Sequence, residues 1–281
     1  MDWGARIQVP LSAGIFDVRV DGPQEGDPIV LLHGFPQTSV CWGPVAAQLV
    51  SAGWRVVAPD QRGYSPGARP DGVAHYQGTL LADDVAELAD ALGVERFHLV
   101  GHDWGASVAW VVADRHAEKV LSLTAVSVPH PAAYLAAVRD DPDQRHRAAY
   151  IDLFRQPGKA EEVLLAEGAR RLRAMYQGIP ATEVVEEYIR QLTEPGALTA
   201  ALSWYRAMGR GAPRPTTVPT TYVWSDADRA LGRAGAEACG AHVRADYRFE
   251  VLPGVSHWVP EEAPVPLARA ILDRVGGTAA R

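Results

Sequence analysis

The chain has 281 residues, of which 47% are hydrophobic and 22% charged, a composition typical of a globular protein with one large core. Its formal net charge of −7 argues against nucleic acid or an anionic membrane as the main partner. No apolar run approaches the roughly 20 residues of a membrane span, and two cysteines are too few for a disulfide framework. The first residues lack the basic and then apolar regions of a signal peptide, so a cytoplasmic protein is expected.

Strand and helix patterns alternate along much of the chain. Strand patterns lie at 15–20, 28–32, 54–58, 97–100, 120–128, 220–224 and 248–252. Helical spacing is found at 80–92, 106–115 and 264–275. The runs at 28–32 and 54–58 are continuously apolar, as in strands that a parallel sheet buries on both faces, whereas 15–20 indicates an edge strand. The alternation predicts βαβ units and a mainly parallel sheet flanked by helices.

Residues 129–215 break this alternation, because their apolar spacing is helical almost throughout. Strand signals resume only after a proline-rich stretch that ends at residue 219. We therefore expect a helical cap, 129–215, inserted into a core made of residues 1–128 and 216–281. Such an insert covers the carboxyl ends of the strands, which is where open α/β sheets bind their ligands.

One short segment is typical of a nucleophile elbow, the sharp strand-to-helix turn that projects its central residue from the sheet. Residues 97–105 read Phe-His-Leu-Val-Gly-His-Asp-Trp-Gly, and a helical pattern follows at once. Gly101 and Gly105 supply the small neighbours that the turn needs, and Asp103 stands at its centre. Because Asp is also a favoured helix N-cap, the glycine frame alone leaves that simpler role open.

An aspartate at this position narrows the chemistry. A carboxylate that attacks saturated carbon leaves an ester, and an activated water can open that ester at its carbonyl. A serine at the same place would leave an ether, which water cannot cleave. Asp103 therefore favours displacement at a tetrahedral carbon, either epoxide opening or carbon–halogen cleavage, over ester or amide hydrolysis.

Such a nucleophile needs a base to activate water and an acid to orient that base. In elbow proteins the chain order is nucleophile, acid, histidine. His257 fits this order, since it follows a strand in a glycine-containing turn just before the last helix. For the acid, Asp228 and Asp226 both follow the preceding strand. We choose Asp228 and keep Asp226 as the alternative, because the other carboxylate is expected to cap the turn.

With these residues the chain resembles an α/β-hydrolase with an aspartate nucleophile, of the group that includes epoxide hydrolases and haloalkane dehalogenases. The resemblance to epoxide hydrolases runs over nearly the whole length. His33-Gly34-Phe35-Pro36 is similar to the His-Gly-x-Pro loop of that family. The resemblance implies an oxyanion hole made by the backbone N–H groups of Phe35 and Trp104. Ser225 departs from the family's usual Gly-x-x-Asp, so the choice between the two acids stays open.

Two tyrosines of the cap favour epoxides over halides. Epoxide opening generates an alkoxide that needs a proton, and a tyrosine stays protonated at neutral pH and can supply it. The segments around Tyr150 and Tyr205 resemble those that carry the two cap tyrosines of epoxide hydrolases. Phe35, in turn, stands where many haloalkane dehalogenases have a halide-contacting Asn. The alternatives are a haloalkane dehalogenase and a biosynthetic or non-hydrolytic protein of the same fold.

The expected partners are a small hydrophobic epoxide and water, with no nucleic acid and no membrane. No cofactor or metal is expected, since no Cys/His cluster and no phosphate-binding glycine loop is visible. Whether the protein is a monomer or a homodimer stays open. The residues expected to contact substrate are Phe35, Trp104, Phe154 and Trp258. Further apolar cap residues considered for the pocket are Leu153, Met175 and Met208.

Overall fold

The computed structural model describes residues 3–177, 179, 182–209 and 211–279. The parts of the predicted core and cap that fall on residues 1–2, 178, 180–181, 210 and 280–281 lie outside this description. One sheet of eight strands runs through the described chain in the order β1-β2-β4-β3-β5-β6-β7-β8. Its strands are β1 (Ala5–Leu11), β2 (Gly14–Asp21), β3 (Ile29–Leu32), β4 (Val56–Pro59), β5 (Phe97–His102), β6 (Val120–Val126), β7 (Thr220–Ser225) and β8 (Tyr247–Leu252).

The sheet is parallel from β4 to β8, and only β1 and β2 run antiparallel to their neighbours. β3 and β4 are buried at every residue, as their continuous apolar sequences predict. This arrangement, with helices flanking the sheet, confirms the fold class expected from the alternating pattern.

The prediction that residues 15–20 form an edge strand is wrong. They belong to β2, which lies between β1 and β4. The true edge is β1, whose signal was the alternation of Ile7, Val9 and Leu11. β1 and β2 form a hairpin in which Leu11 pairs with Gly14, so the second strand is covered by the first.

The α-helices of the described chain divide between the core and the insert. Those of the core are α1 (Gly43–Ser51), α2 (Gly78–Ala91), α3 (Trp104–Arg115), α10 (Arg233–Ala238), α11 (Val259–Glu262) and α12 (Pro264–Ala279). Those of the insert are α4 (Pro131–Asp140), α5 (Pro142–Arg147), α6 (Tyr150–Phe154), α7 (Lys159–Met175), α8 (Thr182–Leu192) and α9 (Ala197–Ala207). All six helices of the insert lie inside the predicted cap, and the domain division itself stays a prediction.

The carboxyl ends of the central strands carry the loops that matter for function. β3 leads into the Phe35 loop, β5 into Asp103, β7 into Asp228 and β8 into His257. Because parallel strands end at the same edge of a sheet, these four loops converge. No helix among the described residues is both long and apolar enough to span a membrane.

Candidate active site

Asp103 occupies a strained turn between β5 and α3. Its backbone has φ 53° and ψ −120°, a left-handed conformation that non-glycine residues rarely adopt. Such strain persists only where the surrounding structure enforces it, and it is concentrated at functional positions. The turn therefore has the geometry that the Gly-x-x-x-Gly frame predicts.

The two glycines of the frame leave no room for a side chain. A Cβ atom at Gly101 would lie 2.3 Å from the Gly105 carbonyl oxygen, and one at Gly105 would lie 2.1 Å from the Leu32 carbonyl oxygen. Both contacts are with backbone, which cannot swing aside. α3 can therefore begin directly against β3 and β5 only because both positions are glycine.

The carboxylate of Asp103 does not cap the following helix. No hydrogen bond joins its side chain to the first turn of α3. Instead its Oδ1 accepts a hydrogen bond of 2.8 Å from the backbone N–H of Phe35. The helix-capping alternative for Asp103 is thus not what this geometry supports. Trp104 is the first residue of α3, where backbone N–H groups have no carbonyl partner within the helix.

His257 lies between two carboxylates. Its Nδ1 is 2.8 Å from Oδ2 of Asp228, and its Nε2 is 3.5 Å from Oδ2 of Asp103. The other oxygen of Asp228 accepts backbone N–H bonds from Ala230 and Leu231, so this carboxylate is held rigidly.

The alternative acid, Asp226, is turned away from the histidine. Its Oδ1 accepts a hydrogen bond of 2.6 Å from the backbone N–H of Gly254. That is the turn-capping role expected of whichever acid does not pair with His257. The structure thus brings Asp228, and not Asp226, to the imidazole.

These contacts shift the pKa values of both His257 and Asp228. Burial alone lowers the pKa of His257, but the carboxylates of Asp228 and Asp103 outweigh burial and hold that pKa well above its usual value. Burial likewise opposes the charge of Asp228, while His257 and the two backbone N–H donors bring its pKa below the usual value. The imidazolium form is therefore favoured while both neighbouring carboxylates are charged.

The two cap tyrosines lie together above the elbow. Their ring centres are 6.2 Å apart, and the ring of Tyr205 is 5.0 Å from that of Trp104. Burial and then the Asp103 charge raise the pKa of Tyr150 well above its ordinary value, and burial is also the largest cause of the raised pKa of Tyr205. Both hydroxyls consequently keep their protons at neutral pH.

A cavity of about 660 Å³ opens beside Asp103. Trp104, Tyr150 and Tyr205 line it, and Tyr150 keeps 37% of its surface accessible whereas Tyr205 is buried, so burial acts less strongly on the Tyr150 hydroxyl than on that of Tyr205. Much of the rest of its wall is apolar, as the predicted hydrophobic substrate requires, and Met208 is one of these residues.

Three of the residues expected to contact substrate lie elsewhere in this conformation. Phe35, Phe154 and Trp258 are buried and are not among the described residues of the cavity wall. Phe35 and Phe154 pack edge to face at 5.4 Å, and each also packs on the ring of Tyr205, so they support the wall from behind. Trp258 packs on Tyr176 of the cap instead. Leu153 and Met175 are likewise absent from the wall.

Sequence reasoning missed several polar residues around the site. Tyr134 of α4 lines the cavity, and burial and the Asp103 charge raise its pKa to about 12. His102 and Gln37 are fully buried behind His257, and Tyr176 donates a hydrogen bond to the Pro36 carbonyl. A signal existed for two of them, because His102 directly precedes Asp103 and Gln37 directly follows the His-Gly-Phe-Pro loop. Within the described chain, no group of three or more His, Cys, Asp or Glu residues is arranged to hold a metal ion.

Comparison with known proteins places the chain in a family. The family model of the alpha/beta hydrolase fold matches residues 27–264. The AB hydrolase superfamily protein YfhM of Bacillus subtilis is 34% identical, over 96% of this chain and 98% of that protein. Epoxide hydrolase A of Mycobacterium tuberculosis is 30% identical, over 92% of this chain and 93% of that protein.

The agreement extends to three dimensions. The crystal structure of epoxide hydrolase A from Mycobacterium thermoresistibile matches with a TM-score of 0.85 and 29% identity, over 97% of this chain and 98% of that chain. The chain therefore belongs to the alpha/beta hydrolase fold family. Within that family it is related to the epoxide hydrolases, which confirms the resemblance inferred from its motifs.

The position of His257 between two carboxylates has a measurable consequence. Asp103→Asn keeps the size of the side chain but removes one negative charge, so we expect the pKa of His257 to fall. Imidazole NMR signals followed against pH measure this shift. Asp226→Asn is the matched control, because that carboxylate bonds to Gly254, and it should leave the pKa unchanged. An unaltered pKa in Asp103→Asn would contradict the described geometry.

Proposed function

We propose that this protein is an epoxide hydrolase that converts a hydrophobic epoxide into a vicinal diol through an ester of Asp103. The observation that carries the proposal is the juxtaposition of a carboxylate at an elbow with two protonated tyrosines across one apolar cavity. A carboxylate suits attack on saturated carbon, and tyrosine hydroxyls suit protonation of the oxygen that leaves it. The relatives named epoxide hydrolases support the same reading.

In the first step, Asp103 attacks one epoxide carbon and the carbon–oxygen bond of the ring breaks. Tyr150 and Tyr205 hydrogen-bond the epoxide oxygen, and one of them transfers its proton to the alkoxide as it forms. The product is a hydroxyalkyl ester of Asp103 and a tyrosinate. The raised pKa values of both tyrosines make that tyrosinate a strong base, which recovers a proton before the next turnover.

Ester formation also prepares the second step. The neutral ester no longer stabilises the imidazolium, so the pKa of His257 falls and its proton can return to the tyrosinate through solvent. The free imidazole, oriented by Asp228, then takes a proton from water as that water attacks the ester carbonyl. The backbone N–H groups of Phe35 and Trp104 stabilise the resulting oxyanion. Collapse releases the diol and restores the carboxylate and the imidazolium.

The cavity favours a hydrophobic substrate. Trp104 supplies an aromatic wall beside the nucleophile, and Met208 lies among the apolar residues of the cap side. We assign Phe35, Phe154 and Trp258 a supporting part, in which they hold this wall and the histidine loop in place. The reaction requires no metal and no organic cofactor, because the nucleophile, the acid and the base are all side chains.

Loss of the base should trap the intermediate. In His257→Gln the ester still forms, because Asp103 and the tyrosines are intact, but water is no longer activated. We expect a mass gain equal to one substrate after exposure to styrene-type, aliphatic or polycyclic epoxides, measured by intact-protein mass spectrometry. The double variant Asp103→Asn/His257→Gln is the control and should stay unmodified. No adduct from an epoxide that the wild type hydrolyses would contradict the covalent route, and halide release from alkyl halides without diol formation would favour a dehalogenase.

Substitutions can distinguish the proposed role of Tyr150 and Tyr205 from that of another hydroxyl group in the cavity. Tyr150→Phe combined with Tyr205→Phe should lower kcat/KM for epoxides by about 10³-fold, since general acid catalysis contributes roughly 10²–10⁴-fold. Tyr134→Phe serves as the matched comparison, because it removes a hydroxyl from the same cavity but not a proposed proton donor, and its effect should be much smaller. Circular dichroism checks the fold of each variant. Full activity in the double variant would refute the donor assignment.

A further inference from the structure

A second acid, half-buried as a residue, lies behind the histidine loop. Glu261 of α11 accepts two hydrogen bonds at Oε1, one of 2.6 Å from the amide of Gln37 and one of 3.0 Å from the hydroxyl of Tyr188. Its other oxygen, Oε2, is buried, and no described group bonds to it. An ionised carboxylate with one bare buried oxygen is costly, and the proposed chemistry does not use this residue.

A chain of contacts connects this acid to His257. The amide of Gln37 lies between Glu261 and His102, with its Oε1 3.0 Å from Nδ1 of the histidine. Nε2 of His102 is 2.8 Å from the backbone carbonyl oxygen of His257. Both Gln37 and His102 are fully buried, so solvent cannot replace any of these bonds.

The backbone carbonyl of His257, at the end opposite Glu261, determines where the hydrogens lie in this hydrogen-bond chain. A carbonyl oxygen only accepts, so Nε2 of His102 must carry a hydrogen to bond to His257. A neutral imidazole then has a bare Nδ1, which requires the NH₂ end of the Gln37 amide to face it. The amide orientation given above, with Oε1 at His102, is the opposite one, but turning the amide by 180° only exchanges two ends of nearly equal size within the same space. The carbonyl end of Gln37 then faces Glu261, which must carry a proton to complete the chain.

The ionised carboxylate imposes the opposite order. It attracts the NH₂ end of Gln37, so the amide oxygen turns to Nδ1 of His102 and favours a hydrogen there. In a neutral imidazole Nε2 is then bare, and two acceptors oppose each other at the His257 carbonyl. Only a second proton on His102 would prevent this, and burial together with the His257 charge lowers the pKa of His102 to about 4.

The surroundings of the acid favour its neutral form. Burial raises the pKa of Glu261 to about 7, although the bonds from Gln37 and Tyr188 and the charge of His257 act in the opposite direction. The other titratable groups that sense its charge are Tyr176 of the cap and Cys41 of the core, both neutral in this environment. On the side of His102, the charged groups are His257, Asp103 and Asp228.

We propose that Glu261 is a positioning residue for the proposed base: while protonated, it orders Gln37 and His102 so that the Nε2–H of His102 holds the backbone of His257 in place. This inference rests on the proposed role of His257. The imidazole must stay 2.8 Å from Asp228 and within reach of the ester at Asp103. A hydrogen bond to the His257 carbonyl fixes the position of the loop that carries this residue. Small displacements of a catalytic base lower the reaction rate strongly, so this hydrogen bond should affect ester hydrolysis.

We expect Glu261→Gln and Glu261→Met to differ in the rate of ester hydrolysis and in its dependence on pH. The new glutamine donates an N–H to Gln37 at every pH, as the protonated acid does, whereas methionine fills the space without donating. In wild type, the rate constant of ester hydrolysis should fall as the pH rises above about 7 and Glu261 ionises, because the neutral His257 of the ester no longer lowers the pKa of this acid. Glu261→Gln should lose this alkaline decline. Glu261→Met should hydrolyse the ester about tenfold more slowly, as expected for a lost buried hydrogen bond.

Single-turnover kinetics with styrene oxide separate ester formation from ester hydrolysis, and only hydrolysis should respond. Glu237→Gln, which changes a surface carboxylate paired with Arg233, is the matched control and should follow wild type. Gln37→Leu interrupts the chain, so adding Glu261→Gln to it should cause no further change. An alkaline decline that persists in Glu261→Gln, or normal hydrolysis in Glu261→Met, overturns the proposal.

A second readout does not depend on turnover. Imidazole ¹⁵N shifts report which nitrogen of His102 carries the hydrogen. In wild type the hydrogen should move from Nε2 to Nδ1 as Glu261 ionises, and in Glu261→Gln it should stay on Nε2. The same tautomer in both proteins at every pH overturns the inference even if the protein hydrolyses epoxides. Absence of any ester in wild type, with the tautomer change present, would instead contradict the proposed function and leave the hydrogen-bond chain standing.

Discussion

The structure depends on one backbone constraint, the left-handed turn at Asp103. The strain of φ 53° is tolerated because β5 and α3 are both anchored, the strand inside the parallel sheet and the helix against β3 and β5. Because of this turn, the Asp103 carboxylate points away from the sheet edge. It contacts the Phe35 N–H on one side and the His257 imidazole on the other. A relaxed turn would put this side chain along the strand, away from both.

The cap is bound to the core through the same region. Tyr176 donates a hydrogen bond of 2.7 Å to the Pro36 carbonyl, and the indole of Trp204 donates one of 3.0 Å to the Arg62 carbonyl. Tyr188 bonds to Glu261 just behind the histidine loop. The cap thus contacts the Phe35 loop, the loop after β4 and the helix after His257. These contacts join the helical insert directly to the loops whose residues we assign to ester formation and hydrolysis.

The parts of this protein that could be predicted are those with a local signal. The buried strands β3 and β4 are visible as continuous apolar runs, and the elbow is recognisable because its two glycines and Asp103 lie within five consecutive residues, although the contact that requires Gly105 is with the distant Leu32 carbonyl. β1 was missed because its alternating, partly polar sequence resembles a surface loop until its pairing with β2 is known. The choice of Asp228 over Asp226 could not be made firm from the sequence, since the direction of each side chain depends on whether Gly254 or His257 lies beside it.

Contacts between distant parts of the chain had no such signal. Gln37 and Glu261 are 224 residues apart in sequence and meet only because the loops after β3 and β8 converge. Phe35, Phe154 and Trp258 were expected in the cavity wall but are not part of it, because the residues that cover them are also distant in sequence. Their aromatic character was visible in the sequence, but the neighbours that bury them come from the cap and the core together.

Isotope transfer during a single turnover tests the central claim most directly. With enzyme in excess over an epoxide in ¹⁸O-water, an ester opened at its carbonyl places the water oxygen on Asp103, while the diol takes its new oxygen from the original carboxylate. We therefore predict ¹⁸O in the peptide that contains Asp103 and none in the diol of the first turnover. A labelled diol from that first turnover, with an unlabelled Asp103, would mean that water attacks the epoxide itself and would contradict the account.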